Sequence, residues 1–384
     1  MANTRRSRRF TYLLLLMVLV VFAGLVAWRL ADPYLRAMSV LARFSDPQAQ
    51  GFTTRFARHT FREELGAATT PQGPLAFRLY IPQGVNHPPA MVLLHGIHHL
   101  GIEEPRLVSF SKALAGAGIE VMTPELKDLA DYRVTPQTID VIGDSAVVLS
   151  TRMKEPVGVM GLSFAGGLAL MAAARAEYAP HIGFVVAVGA HDDMARVAHF
   201  FATNAIEEPN GKSEQLAAHE YGVLVLAYSH LNEFFPPADI AAAQEALRLW
   251  LWEKPQEAMT ASQRLSKPGK ATFDELIHHR ELAKDDLEEE IEKYRQEMDA
   301  VSPHGNLSHL KVPVYLLHGA GDTVIPASET EWLAGDVPRK QLKAVLISPA
   351  LIHVNMEETV PFSQKWALVD FLARVVRAAN GLQH

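Results

Sequence analysis

Short apolar runs alternate along the middle of the chain with segments whose apolar residues follow helical spacing. The apolar runs lie at 90–96, 118–126, 157–163 and 183–190. The intervening segments with helical spacing lie at 105–117, 137–153 and 164–178. Strands that are apolar at nearly every position are typical of a parallel sheet covered by helices on both faces. This part of the chain is therefore predicted to be a doubly wound α/β structure.

Two further features define the limits of that pattern. Residues 60–65 and 75–82 flank the turn-rich stretch GAATTPQGP and are predicted to pair as antiparallel strands at a sheet edge. From residue 194 to about 310 the strand–helix rhythm stops, and the segment is mostly helical in pattern. Within it, the continuous apolar run 221–228 is the one candidate for a buried strand, and 273–298 is predicted to be one long charged helix.

The strand pattern resumes after the helical segment. Apolar runs lie at 312–322 and 343–353, and an amphipathic helix is predicted at 362–378. The prediction is one α/β core with a mostly parallel sheet, formed by residues 60–193 and 311–384. Residues 194–310 are predicted to be a helical cap inserted between two strands of that core.

The N-terminus carries a separate signal. Four arginines at 5–9 precede nineteen uncharged residues, 10–28. As a helix, this stretch would be about 28 Å long, which matches the hydrocarbon core of a bilayer. We predict a basic cytoplasmic segment at 1–9, a single transmembrane anchor at 10–28 and a juxtamembrane stalk at 29–59. The arginines predict that the residues after the anchor lie on the outer, periplasmic side of the inner membrane.

A cleaved signal peptide is the alternative for the N-terminus. Signal peptides have an apolar region of about 7–15 residues and a small-x-small cleavage site. Here the apolar stretch is longer and ends at Trp28-Arg29 without such a site. An uncleaved anchor is therefore favoured, with the membrane as one partner of the chain.

Composition narrows the chemistry. The net charge of −7 gives no basic face for nucleic acid, so no nucleic-acid partner is expected. The chain has no cysteine, which excludes disulfides, thiolate metal sites and thiol nucleophiles. The oligomeric state stays open.

The stretch VGVMGLSFAGG places a serine at a sharp corner between a strand and a helix. Gly161 and Ala165 flank Ser163 with the small side chains that a tight strand-to-helix turn requires. The next amide, of Phe164, lies at a helix N-terminus, where its N–H group is free and the helix dipole favours negative charge. The turn can thus present a hydroxyl and an oxyanion donor together.

A serine nucleophile needs a base, and the base needs an acid to orient it. His353 follows the last apolar run, and Asp322 follows the one before it. Loops after parallel strands meet at one sheet edge, so these side chains are predicted to converge on Ser163. Asp192 or Asp193, after the run at 183–190, is the alternative acid.

With these residues in place, the chain resembles the α/β-hydrolase superfamily. The resemblance covers roughly residues 60–193 and 303–380 and depends on His95-Gly96, on GLSFAG, on LLHGAGDTVIP and on the terminal histidine, in that order. It implies Ser163 as nucleophile, Asp322 as acid and His353 as base. It also implies an oxyanion hole that pairs the Phe164 amide with that of Ile97. The alanine in G-x-S-x-A departs mildly from the G-x-S-x-G pattern.

Other candidate groups are interpreted as structural. The cluster of His95, His98 and His99 lacks carboxylates or thiolates at ligand spacing, so no metal is expected. The predicted acyl-transfer mechanism needs no cofactor. His318 and His95 are interpreted as strand-end residues. Several aromatic residues of the cap are expected mainly to pack its helices together, with an acyl pocket as the alternative role; they are Phe200, Phe201, Tyr228, Phe234, Phe235, Trp250 and Trp252.

The predicted activity is hydrolysis of an ester-like substrate, small or lipid-like, through an acyl-enzyme. The same triad also serves acyltransferases, in which an alcohol replaces water, and serine peptidases. The alternative that is not an enzyme is a membrane-tethered binding protein without catalytic activity. The acyl and leaving groups are not determined by the sequence.

Overall fold

The computed structural model describes the backbone of residues 2–352, 355–356 and 361–382, and the side chains of residues 14–279, 281–351 and 361–382. The strands are β1 Phe61–Thr70, β2 Gly73–Pro82, β3 Ala90–Leu94, β4 Glu120–Pro124, β5 Val157–Leu162, β6 Ile182–Val188, β7 Ala205–Glu207, β8 Ser213–Gln215, β9 Val314–Gly319, β10 Leu342–Ser348, β11 Leu351–Ile352 and β12 Asn355–Met356.

The helices flank the sheet and form most of the insertion. They are α1 Ala2–Ser45, α2 Pro105–Gly116, α3 Lys127–Ala130, α4 Pro136–Met153, α5 Phe164–Ala174, α6 Met194–Thr203, α7 Tyr221–Ser229, α8 Leu231–Phe234, α9 Ile240–Leu251, α10 Pro255–Ser262, α11 Lys267–His278, α12 Lys284–Lys293, α13 Arg295–Asp299, α14 Ser328–Asp336 and α15 Phe362–Gly381.

Eight strands form one sheet in the order β1-β2-β4-β3-β5-β6-β9-β10. The six strands from β4 to β10 in that order are mutually parallel, and the predicted antiparallel pair β1–β2 joins them along β4. Every residue of β3 and β4 is buried, which is why these strands read as unbroken apolar runs. The prediction of a mostly parallel, doubly wound sheet is confirmed.

Two layers of helices cover the sheet. On one face α4, α5 and the helices of the insertion share a large apolar core. On the other face α1, α2 and α15 pack against a second apolar core, which includes Met160 and Val186 from the central strands. Side chains alternate along each strand, so consecutive residues of β5 and β6 contribute to opposite cores.

The insertion between β6 and β9 contains α6 to α13 and the small β7–β8 hairpin. The prediction of a strand at 221–228 was wrong, because this segment is the helix α7. A buried helix is apolar on all sides, so an apolar run cannot be told from a strand by periodicity alone. A Cβ on Gly222 would lie 2.3 Å from the Phe201 ring, which shows how closely α7 packs on α6.

The segment 273–298 is also not one helix. It is divided among α11, α12 and α13. Between α12 and α13, Tyr294 stacks on His230 with ring centroids 3.5 Å apart. Its hydroxyl donates a hydrogen bond to Glu233. These tertiary contacts bend the chain where the charge pattern alone predicts a continuous helix.

The N-terminal helix α1 is longer than the predicted anchor. Residues 14–30 are exposed along their whole length, and among the described residues this is the one helix that is long and apolar enough to cross a membrane. The helix then continues into the stretch predicted as a stalk. There Ala37, Ser39 and Val40 are fully buried, so this part of α1 belongs to the folded domain.

Polar contacts fix α1 on the domain. The Tyr34 hydroxyl donates to Asp370 at 2.9 Å, and Arg36 donates to the Ala117 carbonyl at 2.8 Å. Arg36 also reaches the Asn380 side chain at 3.1 Å. Burial lowers the pKa of Arg36, but its position beside Asp32 keeps the side chain paired.

These contacts predict different effects of two N-terminal deletions. A chain that begins at residue 30 is expected to keep its free energy of unfolding within about 1 kcal/mol, since it loses only exposed residues. A chain that begins at residue 46 also loses the buried side of α1 and is expected to lose about 3 kcal/mol or more. Chemical denaturation of the two chains in the same detergent measures the difference. Equal stabilities would contradict this role of α1.

Candidate active site

Ser163 lies at the turn between β5 and α5 with φ 56° and ψ −136°, a combination that side-chain-bearing residues rarely adopt. Its N–H donates to the Val188 carbonyl at 2.7 Å, which holds the strained turn against β6. A Cβ on Gly161 would lie 2.4 Å from the Ala165 carbonyl oxygen, so only glycine fits there. The sequence reasoning about small flanking residues agrees with this packing.

A second backbone segment approaches Ser163 from the end of β3. A Cβ on Gly96 would lie 3.1 Å from the Ser163 Cβ, so the Gly96 backbone runs directly beside the serine. Ile97 follows and packs partly against the main core. Phe164 begins α5 on the other side, and helix-terminal amides have no intrahelical acceptor. Two peptide segments with potential donors thus border the serine.

His95 holds the segment that contains Gly96. Its Nδ1 lies 2.8 Å from the Gly96 carbonyl, and its Nε2 accepts a hydrogen bond from the Leu126 N–H at 3.0 Å. Nε2 therefore carries the lone pair and Nδ1 carries the proton. Burial lowers the pKa of His95 to about 4, so the ring is neutral at physiological pH. This geometry agrees with the structural role that the sequence suggests for His95.

Asp322 lies in the loop after β9 and is fully buried. Its Oδ1 accepts hydrogen bonds from the amides of Val324 at 2.8 Å and Ile325 at 3.1 Å. Its Oδ2 lies 3.5 Å from Nε2 of His318. Both ring nitrogens of His318 are already engaged, with the Thr330 hydroxyl and the Ile325 carbonyl. The loop thus holds the carboxylate in place by backbone donors.

The two alternative acids have other partners. Asp193 caps α6 by accepting from the amides of Ala195 and Arg196. Asp192 pairs with the Arg196 guanidinium at 2.9 Å. Arg196 also pairs with Glu329, which in turn accepts from the Asp192 and Asp193 amides. Asp192 and Asp193 thus form part of a network with Arg196 and Glu329.

The predicted base, His353, lies outside the described residues. Its distance from Ser163 and Asp322 therefore stays a prediction. The preceding strand segment β11 ends at Ile352, and α15 begins at Phe362.

Asp192, itself buried, belongs to a cluster of ionisable side chains that the sequence did not reveal. The His304 Nδ1 lies 3.5 Å from Asp192 and 2.7 Å from Asp336. The potential ligand atoms of these three residues lie within 4.8 Å of one another, but the Arg196 guanidinium already supplies a positive charge to Asp192. Burial, and then the nearby carboxylates of Glu329 and Asp336, raise the pKa of Asp192 to about 7.

This pKa predicts a pH-dependent effect of Asp192→Asn. The folded protein binds the Asp192 proton more tightly than the unfolded chain does, so this group's stabilising contribution is lost as the pH rises from about 4 to about 7. Asparagine does not titrate. The free energy of unfolding of the variant, relative to wild type, is therefore expected to increase by about 2 kcal/mol between pH 5 and pH 8.

Chemical denaturation at pH 5, 6.5 and 8 measures this difference. Asp299→Asn is the matched control, because Asp299 forms an exposed pair with Arg295. A stability difference between Asp192→Asn and wild type that stays constant with pH would contradict the raised pKa.

The insertion meets the core around Tyr132. The Tyr132 hydroxyl donates to the Leu251 carbonyl at 2.6 Å and so links the core to α9. Trp252, next in the chain, stacks on His99 with ring centroids 5.6 Å apart, and His99 stacks on His98. The insertion thereby contacts the segment that follows His95-Gly96.

Tyr221, at the start of α7, is a second residue that the sequence did not single out. Burial, and then the Asp322 carboxylate, raise the pKa of Tyr221, and Tyr132 and Arg106 act on it as well. Tyr221 therefore lies within electrostatic range of Asp322. This interaction joins residues far apart in the chain, and no motif indicates it.

The other aromatic residues of the insertion mostly pack helices. Phe200, Phe201 and Phe235 are buried in the main core. The Tyr228 hydroxyl donates to Asp131 at 3.1 Å and accepts from Arg248 at 2.9 Å.

An eight-stranded sheet in this order, with a strained serine at the turn after β5, defines the α/β-hydrolase fold. The helical insertion lies between β6 and β9. The resemblance inferred from the sequence motifs is thus confirmed at the level of the fold.

No protein-family model matches the chain, and no curated protein sequence matches it. Among solved structures, it is similar to 2,6-dihydroxy-pseudo-oxynicotine hydrolase, with 15% identity, a TM-score of 0.45, and coverage of 83% of this chain and 68% of the other. It is similar to brefeldin A esterase, described as a bacterial homologue of human hormone-sensitive lipase, with 12% identity, a TM-score of 0.47, and coverage of 91% and 86%.

A third similar structure is the acylaminoacyl peptidase of Pyrococcus horikoshii, with 13% identity and a TM-score of 0.48. The match covers 84% of this chain but only 42% of the peptidase. The strand order, rather than these matches, establishes the fold.

Proposed function

We propose that the protein is a serine hydrolase that cleaves an ester-like substrate through an acyl-enzyme. The observation that carries the proposal is the strained backbone of Ser163, held beside the Gly96 segment at the C-terminal edge of the sheet. A side chain is kept in such a conformation only where the surrounding structure compensates for the strain, and such positions cluster at active sites.

The proposed mechanism assigns one role to each group. His353 removes the proton of the Ser163 hydroxyl as it attacks the carbonyl carbon, and later gives that proton to the leaving alcohol. Asp322 orients the imidazole and stabilises its protonated form. The amides of Phe164 and Ile97 donate to the oxyanion, and each such donor contributes roughly 3–4 kcal/mol to the transition state. Water then releases the acyl group from Ser163.

The proposal places the protein in a membrane through residues 10–28, with the domain on the outer side. The exposed apolar surface of residues 14–30 supports an anchor, and the arginines at 5–9 support a cytoplasmic N-terminus. Protease added to spheroplasts, whose outer membrane has been opened, is expected to degrade the domain. Protection of the domain until the spheroplasts are lysed would contradict this orientation.

Covalent labelling tests the activity. A fluorophosphonate is expected to label the wild-type chain at one residue, Ser163, and Ser163→Ala is expected to abolish both labelling and hydrolysis of p-nitrophenyl acetate. Ser145→Ala is the matched control, since Ser145 is buried in α4 away from the turn and bonds the Val141 carbonyl. Labelling that persists in Ser163→Ala would contradict the proposed nucleophile.

The activities measured on esters and on amides distinguish an ester hydrolase from a peptidase that uses the same triad. We expect cleavage of p-nitrophenyl esters without cleavage of peptide p-nitroanilides. Cleavage of both would instead indicate a peptidase, and added alcohols that divert the acyl group would indicate an acyltransferase.

A further inference from the structure

A cavity of about 520 Å³ lies beside α1 at the point where the exposed apolar part of that helix ends. Trp28, the last residue of the uncharged stretch 10–28, lines the cavity. Asp32 and Arg36, one and two turns further along the same face of the helix, line it as well. This volume is within the range of small-molecule binding sites, so the cavity can hold the polar headgroup of a lipid.

The cavity lies at the edge of the sheet where the parallel strands begin. Pro89 and Gly118 line it, just before β3 starts at Ala90 and β4 at Glu120. Ser163 lies at the opposite edge, after the end of β5. A strand of five residues such as β3 spans about 16 Å. A molecule held in the cavity by its headgroup is therefore not placed for attack by the proposed nucleophile.

The lining of the cavity carries a net positive charge. Asp32 is the one carboxylate among its described lining residues, and Arg36 pairs with it at 3.7 Å. Arg55 and Arg58 are exposed on the wall, and neither forms an ion pair with another described residue. Two guanidinium groups are thus available to an anion, and guanidinium binds phosphate oxygens with paired hydrogen bonds.

The segment 52–59, which carries both arginines, is held in place by hydrogen bonds on two sides. The Phe56 N–H donates to the Ser39 hydroxyl of α1 at 3.1 Å. The His59 N–H donates to the Gly116 carbonyl at the end of α2 at 3.0 Å. The backbone between these bonds is therefore fixed to the domain, so the two arginines extend from a firm base.

Aromatic side chains beside the cavity indicate the level of a membrane interface. Phe56 packs against Trp28 with ring centroids 6.2 Å apart and against Phe52 with centroids 5.7 Å apart. Trp28 is 53% exposed and Phe52 is 62% exposed. Tryptophan is enriched at the level of lipid headgroups, and exposed apolar rings on a peripheral surface enter the same region. When residues 10–28 span the bilayer, the cavity faces the headgroups.

We propose that this cavity binds the phosphate of an anionic phospholipid headgroup through Arg55 and Arg58, and so docks the domain on the bilayer surface. A phospholipid is favoured over a soluble anion because the cavity adjoins the end of the apolar stretch, where headgroups are concentrated. The inference rests on the proposed membrane anchor and is independent of hydrolysis at Ser163. It orients the domain with the sheet edge that carries Ser163 away from the bilayer.

The test uses the full chain in maltoside micelles that contain phosphatidylglycerol or phosphatidylcholine. Native mass spectrometry measures the mole fraction of lipid at which half of the chains retain a lipid molecule. For the wild type, this mole fraction is expected to be about tenfold lower with phosphatidylglycerol than with phosphatidylcholine. The double variant Arg55→Gln with Arg58→Gln loses the proposed charged hydrogen bonds, so it is expected to need at least about tenfold more phosphatidylglycerol.

Two further double variants separate the role of charge at this site from other effects. Arg55→Lys with Arg58→Lys keeps both charges and is expected to stay within about threefold of wild type. Lys267→Gln with Lys270→Gln is the matched control, because it removes two exposed positive charges from α11 in the insertion. It is expected to retain phosphatidylglycerol as the wild type does. An equal loss in this control and in the arginine-to-glutamine variant would contradict a site at the cavity.

The remaining outcomes also decide the proposal. Equal retention of the two lipids by the wild type would refute selectivity for an anionic headgroup. A Tm that rises with inorganic phosphate but not with phosphatidylglycerol would assign the cavity to a soluble anion and refute the lipid site.

Carbonate extraction of cell membranes tests the anchor separately. The wild type and the arginine variants are expected to stay in the membrane pellet, because all of them keep residues 10–28. Release of the wild type by carbonate would refute the anchor and the headgroup site together. A wild type that stays in the pellet but retains both lipids equally would refute the headgroup site alone. Fluorophosphonate labelling of Ser163 is expected to be unchanged in all of these variants, so failure of the hydrolase proposal is detected independently.

Discussion

Replacing Ser163 by alanine or by glycine is expected to lower kcat/KM for a p-nitrophenyl ester by at least ~10⁴-fold, while only glycine stabilises the fold. Loss of the hydroxyl removes the proposed nucleophile in both variants, which leaves only the contributions of binding and the oxyanion donors. The two variants differ in backbone freedom. Alanine keeps a Cβ at φ 56° and ψ −136°, whereas glycine adopts such angles without strain.

The strain of a side-chain-bearing residue in a sparsely populated region costs about 1–3 kcal/mol. Part of the stability gained by relieving this strain is lost again, because glycine increases the conformational entropy of the unfolded chain. We therefore expect Ser163→Gly to have a Tm about 1–2 °C higher than that of Ser163→Ala. Thermal unfolding of both variants in one detergent measures the difference. Equal Tm values would show that the turn stores no strain that a glycine can release.

The core of the fold could be predicted because its strands are buried on both faces. Burial from two sides requires apolar residues at nearly every position, and β3, β4 and β5 carry that signature in short runs. The insertion was harder to predict for the same physical reason. The helix α7 is also buried on all sides, so its apolar run at 221–228 carries no period that distinguishes a helix from a strand.

The turn at Ser163 could be predicted because steric demands are local. Gly161 and Ala165 lie within two residues of the serine and leave a visible pattern. The contacts that surround the turn are not local. Glu329 bonds the Asp192 amide across 137 positions, and Leu41 and Phe44 share a pocket with residues of α15. No spacing rule connects such residues, so only the folded chain reveals them.

The second large effect concerns Asp322, for which asparagine and alanine are expected to behave differently. Asparagine keeps an oxygen that can accept from the Val324 and Ile325 amides, so the loop stays in place. It lacks the negative charge that would orient the His353 imidazole and stabilise its protonated form. Asp322→Asn is therefore expected to lower kcat by about 10³–10⁴-fold while the Tm changes by no more than about 2 °C.

Asp322→Ala removes the acceptor as well as the charge. Two buried amides then lack a partner, and each is expected to cost about 1–3 kcal/mol. This variant should lose stability together with activity. Comparison of kcat, Tm and fluorophosphonate labelling for the two variants separates the proposed catalytic role of the carboxylate from its role in holding the loop.

Asp192→Asn serves as the control for the choice of acid, since Asp192 pairs with Arg196 instead. Its kcat/KM for p-nitrophenyl acetate is expected to stay within about threefold of wild type. The opposite result would be a large loss of activity in Asp192→Asn together with an active Asp322→Asn. In that case the acid lies after β6, and the assignment of Asp322 is wrong. If both variants stay active, the imidazole does not depend on either carboxylate, and the proposed triad fails.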